Sequence, residues 1–501
     1  MSDPSPSPLL TTPDGAQSES LLVFSDVHLG SDLDDRHGHV LHRTQAVDGD
    51  LVALLEHYRG VPPAGDRWRI VIAGDFIDFI GMTVGPDDAK DEASDASLND
   101  EEMEHGLGSS AEHARQKLRR VALRHADVFR ALAVFVADGH ALTLVHGNHD
   151  AEFHWDEVKD SFREALRVHA EGYGEGFDAA AFDARIEFNP WFFWREGVVF
   201  IEHGHQYDAF CSTPYVMAPL YPVDPRRMAR GFCDVLLRFV VRPTRGLRET
   251  GHEHAGIVHY LSFGAALGVR GMFALVARVG RALRELFAVR RAALSSAARS
   301  IRSEHERRVE RLAAVSRLGA ERLRAVLALQ VAPVTSSVRG ILASLLLDRI
   351  GLAVVAAGLT LAAALLGTMA PLWRGGAALS TLALWLVADR LLARHRQVDA
   401  GERMTERAGH LARLFPAAFV VMGHTHAPSV ARSGETTYIN VGSWSEVEDD
   451  TERAPRTHLV IHVTAGGVEG HFRTWSAAGP EPVPEVPEPV PSSTLADVTP
   501  S

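Results

Sequence analysis

The chain has 501 residues, 46% of them hydrophobic, and its 51 Lys plus Arg against 64 Asp plus Glu leave a net charge of −13. That composition excludes a collagenous, wholly disordered or disulfide-stapled chain, and at ~100–200 residues per domain it predicts two to four units. With only Cys211 and Cys233 available, neither a Cys-rich zinc module nor a disulfide framework can be built, which fits a reducing compartment.

Residues 1 to 20 lack a basic start followed by an apolar run, so they read as a disordered leader and not a secretory signal. Short β-branched or aromatic runs follow, each ending at Gly, Asp, His or Asn: 21 to 28, 69 to 75, 141 to 150, 198 to 204, 418 to 426 and 437 to 443. Buried strands with polar residues at their ends have this look. The first few alternate with helix-length stretches such as Ala111 to Ala137, which predicts an α/β layered fold. The acidic stretch from Pro86 to Glu104 interrupts the pattern and reads as a mobile surface loop. The aromatic run at 188 to 194 reads as core packing, with a lipid-facing or base-stacking surface as the alternative.

Residues 253 to 400 depart from the alternation. Helical periodicity predicts long helices from about Ile257 through Leu329, and residues 278 to 324 hold 13 Arg, no Lys and 5 Glu. A patch of one sign faces an anionic membrane or a nucleic acid, unless it is a solvated helical face. Residues 350 to 373 then carry no charge over 24 positions. At 1.5 Å per residue that run reaches across a ~30 Å hydrocarbon layer. With the apolar stretch at 377 to 393 it predicts a transmembrane hairpin, against the alternative of a buried Ala/Leu helix pair. Arg residues on both flanks would put the rest of the chain on the cytoplasmic side of a membrane. Residues 401 to 475 return to the strand pattern, and the Pro/Glu-rich tail at 476 to 501 reads as an extended, disordered arm.

Five short motifs occur in order: Asp26-Val27-His28, Gly74-Asp75-Phe76-Ile77-Asp78, Gly147-Asn148-His149-Asp150, His203-Gly204-His205 and Gly423-His424-Thr425-His426. Each alone is weak, because an isolated Asp-x-His or His-x-His is more often a turn or a polar cluster. Together, at the ends of predicted strands, they can converge on one crevice. Six to eight oxygen and imidazole ligands with no thiol suit Mn²⁺, Fe or Zn²⁺ better than a structural zinc, and two ions fit the count best.

The ordered set resembles the calcineurin-like metallophosphoesterase superfamily, whose pattern is D-x-H, G-D-x-x-D, G-N-H-D/E, H and G-H-x-H, over residues 21 to 210 and 415 to 475. The resemblance implies a four-layer αββα sandwich, here split by the helical insertion at 253 to 400. It also implies two divalent transition-metal ions, Mn²⁺ first with Fe or Zn²⁺ as alternatives. Asp26, His28 and His426 would bind one ion, Asn148, His203 and His424 the other, and Asp75 would bridge them. His149 would be the general acid, oriented by Asp78. His203 is preferred over His205 as ligand because it directly follows an apolar strand and precedes Gly; His205 and Asp150 are left for substrate or the surroundings of the ligands. The implied reaction is hydrolysis of a phosphate ester or pyrophosphate by in-line attack of a hydroxide shared between the ions.

The substrate is less defined. The Phe24-to-Asp32 and His203-to-Asp208 stretches are similar to the UDP-2,3-diacylglucosamine pyrophosphohydrolases, although that group commonly has Arg where this chain has His149. A membrane-borne or lipid-linked ester beside an anionic bilayer is the expectation, and a membrane-associated protein with its catalytic domain facing the cytoplasm. A tethered protein or cyclic-nucleotide phosphatase, and a non-catalytic membrane scaffold, are the alternatives. Nucleic acid is a less expected partner, because no aromatic residues interleave the Arg run.

Overall fold

A computed structural model describes residues 19–34, 45–85, 98–172, 177–244, 257–345, 347–365, 371–394, 399–445, 456–464 and 467–483. The expected leader, most of the acidic stretch at 86 to 104 and most of the terminal arm lie outside the described residues.

Two mixed sheets form the frame. The first is built from β1 (Glu19–Phe24), β2 (Arg67–Ala73), β3 (Ala141–Val145) and β4 (Ile186–Asn189). The second takes β5 (Phe192–Arg195), β6 (Gly197–Glu202), β7 (Ala417–Met422), β8 (Ser429–Ser433) and β9 (Thr436–Asn440). The chain then returns to the first sheet with β10 (Arg456–Thr464), β11 (Gly467–Ser476) and β12 (Gly479–Pro482). The strand orders are β12-β11-β10-β1-β2-β3-β4 and β5-β6-β7-β9-β8. β1 to β4 are parallel, as are β6, β7 and β9.

The near-continuous apolar strands are explained by burial on both faces, since successive side chains point to opposite sides. Leu21, Val23, Val71, Ala73 and Val145 of the first sheet meet Val199, Ile201, Val421 and Ile439 of the second in one core. The alternate positions Leu22, Phe24, Ile70, Ile72, Leu142 and Leu144 face helices. Among these, Asp156–Ala170 buries Val158, Phe162, Leu166 and Ala170, one residue per helical turn. On the far side Phe200, Val420, Met422 and Tyr438 pack against Val309, Leu312, Leu323, Met404 and Leu411 of three more helices. Helix, sheet, sheet, helix is therefore the layering.

Several expectations need correction. Among the described residues no helix is long and apolar enough to cross a membrane, so the transmembrane hairpin does not stand. The uncharged run is divided between Leu347–Leu365, which carries Asp348 and Arg349, and Pro371–Arg394. Proline lacks the amide hydrogen needed to continue a helix and suits the start of one. The uncharged part of the first helix, 350 to 365, spans only about 24 Å at 1.5 Å per residue, short of the ~30 Å hydrocarbon layer. The stretch between Arg374 and Asp389 spans about 21 Å on the same count.

Residues 98 to 104 are no loop: Asn99 caps the helix Asp100–His105, in which Glu102 is buried. Ala111 to Ala137 is two helices, Ala111–Arg124 and Ala126–Ala137, parted at His125, whose Nδ1 meets Asp48 and whose Nε2 accepts from the Gly30 amide. The aromatic run at 188 to 194 is mostly core, with Phe188, Trp191, Phe192 and Phe193 buried. The ordered domain also reaches past residue 475, because β12 pairs with β11.

One end of the space between the sheets is closed by charge. Glu19, 3% exposed, accepts from Arg67 at 2.7 Å, from Arg69 at 2.8 Å and from Arg195 of the second sheet. Arg69 also reaches Glu187 and Thr143, each at 2.8 Å. Burial works to raise the Glu19 pKa, but Arg69 and the other guanidinium groups outweigh it and hold it down to about 2. A folded pKa below the unfolded value of ~4.5 means that this stabilisation is present above that pH and is lost as pH falls toward about 2. Glu19→Gln leaves Arg69 less compensated and is expected to cost about 3 kcal/mol at pH 7. The loss should shrink as the parent is acidified below about pH 4, which denaturant titrations at several pH values will measure.

Candidate metal centre

The site lies at the opposite ends of the strands, where the chain leaves five of them. Asp26 and His28 follow β1, Asp75 follows β2, Asn148 and His149 follow β3, His203 follows β6, and His424 and His426 follow β7. Asp26, Asp75 and Asp78 are fully or almost fully buried, as are His28 and His203.

Three groups of side chains are built on these carboxylates. Asp26, His28 and His426 can hold one ion, and Asp26, Asp75 and His203 lie within ligand reach of another. Asp26 Oδ1 is 3.2 Å from His426 Nε2 and 3.7 Å from His28 Nε2. Asp75 Oδ2 stands 3.0 Å from His203 Nε2 and 3.7 Å from His28 Nε2, so one oxygen faces both of these groups. Asn148 Oδ1 is 3.2 Å from His203 Nε2. His203 gives its Nδ1 hydrogen to the carbonyl of Ala73 at 2.9 Å, which leaves Nε2 to face the carboxylates. His424 stands apart from these two groups: its Nε2 meets Asp208 Oδ2 at 3.1 Å, and its ring centre is 5.2 Å from that of His203.

His149 stands beside the first group, its ring centre 4.5 Å from that of His28, and with His28 and Asp78 it makes a third group within ligand reach of one ion. Its Nδ1 meets Asp78 Oδ1 at 2.6 Å, and its backbone amide donates to Asp75 Oδ1 at 2.8 Å. Asp150 is occupied as a brace, accepting from the amides of Gly147 and Phe76 at 2.6 and 2.9 Å. His205 lines a neighbouring cavity with ≈ 920 Å³ of empty volume, open mouth included, together with Asn148, Lys117 and Cys211. His37, His39 and His42 lie outside the described residues.

The backbone is shaped for convergence. Asp26, His28, Asp75, His424 and His426 all have φ between 48° and 69°. Left-handed conformations are costly for side chains of this kind and persist where the surroundings over-determine them, commonly at functional sites. Gly147 shows the close approach: a Cβ there would lie 2.0 Å from Asp75 Oδ1. The end of β9 and the turn after it support both loops. Asn440 donates to the Gly423 carbonyl at 2.7 Å, while Ser443 and the Trp444 amide donate to the Asp26 carbonyl at 3.0 and 3.1 Å. Asp208, the last residue of the His203-to-Asp208 stretch, was given no role of its own in the sequence.

Crowded carboxylates dominate the electrostatics. Burial opposes charge on His149, yet Asp78 and Asp75 outweigh it and raise the ring to about 9. His203 is likewise opposed by burial and raised to about 9 by Asp75 and Asp26. Asp26 and Asp78, despite burial, are held well below the usual carboxylate range by the facing imidazoles. At Asp208 burial also works upward, and His424 with the Cys211 thiol brings the carboxyl down.

The residues could hold a divalent cation. Asp26 Oδ1 and His28 Nε2 are buried without any hydrogen-bond partner, and both belong to the cluster. An orphaned carboxylate oxygen beside an orphaned imidazole nitrogen is what a borderline divalent ion satisfies. Comparison of the sequence with protein-family models and with curated proteins found no match.

Because an ion must displace protons from these rings, Mn²⁺ affinity should rise with pH between about pH 6 and pH 8. Calorimetry in buffers of different ionisation enthalpy will read the released protons; binding with no proton release and no pH dependence would contradict the cluster as the site.

Proposed function

We propose that this chain is a metal-dependent phosphoesterase that hydrolyses a phosphate ester or pyrophosphate bond. The observation that carries this reading is the shared carboxylate: Asp75 Oδ2 faces His28 of one ligand group and His203 of the other. Asp26, His28 and His426 would hold the first ion and Asn148 and His203 the second, with Asp75 common to both; His424, whose Nε2 is taken by Asp208, would complete the second set through Nδ1. Bound ions supply Lewis-acid stabilisation of phosphoryl charge and lower the pKa of water.

The chain's own residues do the rest. Asp78 holds the His149 ring by Nδ1 and favours its protonated form. That leaves Nε2–H to give a proton to a departing oxygen. Asp150 and Asn440 fix the loops that carry the ligands, and the cavity lined by Asn148 opens beside them. Among the described residues no helix is long and apolar enough to anchor the chain in a membrane, so no membrane-borne substrate is proposed.

Asp75→Asn should lower metal content at both positions and abolish most turnover of p-nitrophenyl phosphate; two metals per chain with ordinary activity would refute the shared role. His149→Ala should keep its metals and lose ~10²–10⁴ in rate on an alkyl phosphate, with far less loss on the nitrophenyl ester, whose leaving group hardly needs a proton. Equal losses on the two esters would exclude His149 as the proton donor.

A further inference from the structure

Cys211 and Cys233 are the chain's two cysteines, and their sulfurs stand 3.2 Å apart as free thiols. Both are partly accessible, and Cys211 forms part of the wall of the cavity beside the metal centre. The two segments meet through Phe210 and Phe232 as well as through the sulfurs, and each is anchored by bonds of its own. Phe210 packs on Phe232 with ring centres 5.3 Å apart, the Ala209 carbonyl accepts from the Val334 amide, and Asp234 accepts from the Gly231 amide at the start of the helix Phe232–Leu236. Two thiols in contact are placed so that a two-electron oxidant can close them to a disulfide.

A second observation says what the pair acts on. The ligand atoms of Cys211, Asp208 and His424 all lie within 4.8 Å of one another, and Asp208 takes the hydrogen bond from His424 Nε2. A carboxylate behind a ligating imidazole fixes the ring, and its loss commonly weakens metal binding or activity ~10–100-fold. The row Cys233, Cys211, Asp208, His424 thus runs from the cavity wall to a ligand of the second ion.

We infer that Cys211 and Cys233 form a hydroperoxide-sensitive modification site whose disulfide loosens His424 and with it the second metal position. The effect on the metal centre rests on the phosphoesterase reading; formation of the disulfide does not. In the first step the Cys233 sulfur attacks the outer peroxide oxygen, the O–O bond breaks, and the alcohol or water leaves with the thiol proton. The Cys211 sulfur then attacks the sulfenic acid, and the hydroxyl departs as water with the Cys211 proton. The sulfur pair loses two electrons and the peroxide gains them. Drawing Cys211 toward the helix takes its S–H from Asp208 and pulls on the turn in which the Cys211 and Ser212 amides donate to the Asp208 carbonyl, shifting the carboxylate from its present place against His424.

The test uses the full chain loaded with Zn²⁺, which peroxide cannot oxidise. Hydrogen peroxide followed by alkylation and peptide mapping should show Cys211 linked to Cys233 and the chain lighter by two hydrogens. Metal content should fall from two ions toward one, and p-nitrophenyl phosphate turnover should fall about ten-fold or more, with dithiothreitol restoring both. Cys233→Ser should match the reduced parent in activity and keep its metals and rate in peroxide. Unlinked peptides after peroxide, a linked chain that retains both ions and full rate, or equal peroxide losses in Cys233→Ser would each overturn the inference. A linked chain that sheds an ion while the untreated parent never cleaves the ester would uphold the thiol site and refute the phosphoesterase reading.

Discussion

Asp26, Asp75 and Asp78 are withdrawn from solvent around the same few histidines, and negative charge at that density has to be met by cations close at hand. Carboxylates so placed raise His28, His149 and His203 above the ordinary imidazole range, against the pull of burial. Divalent ions would meet the same demand more completely. The strand ends, the left-handed residues and the braces at Asp150 and Asn440 can all be understood as the means of holding like charges together without solvent. The opposite end of the sandwich solves the converse problem, with Glu19 gathering three arginines.

What could be read in advance depended on how local the signal was. The strands of both sheets were legible because burial on two faces demands unbroken apolar runs, and the polar residues that end them stood out by contrast. Convergence of Asp26, Asp75, His203 and His426 followed from their common place at strand ends. The hairpin misled because hydropathy is blind to where a helix starts: Pro371 sits inside the uncharged run and begins a new helix there. The acidic stretch misled for a related reason, since the charge that marks a loop also suits the first turn of a capped helix, and Glu102 is buried against Arg227 and His113. Asp208 gave no periodic or spacing signal, and its relation to His424 exists only in three dimensions.

The Arg-rich helices also look different once folded. Ala298–Ser316 buries Ile301, Val309 and Leu312 and so belongs to the outer layer of the second sheet. Arg307 and Arg308 pair with Glu304, and Arg324 with Glu310, so part of the charge is answered within the helices themselves. The segment is also tied to the centre: the Val331 amide donates to the carbonyl of Gln206, three positions after His203. What looked in the sequence like an appendage is a wall of the domain.

The amide of His424 binds the carboxylate of Asp26 across 398 positions of sequence. Contacts so distant are among the last a chain can form, because the intervening loop must be closed first. During synthesis the first sheet can assemble its parallel strands while the loops bearing Asp26 and Asp75 wait, already charged and facing a gap. At ~5–20 residues per second the ribosome takes on the order of twenty seconds or more to deliver β7 and its histidines. The centre is therefore a late product of folding, and an ion captured by the nascent half-site would be held by an incomplete set of ligands until the far end of the chain arrives.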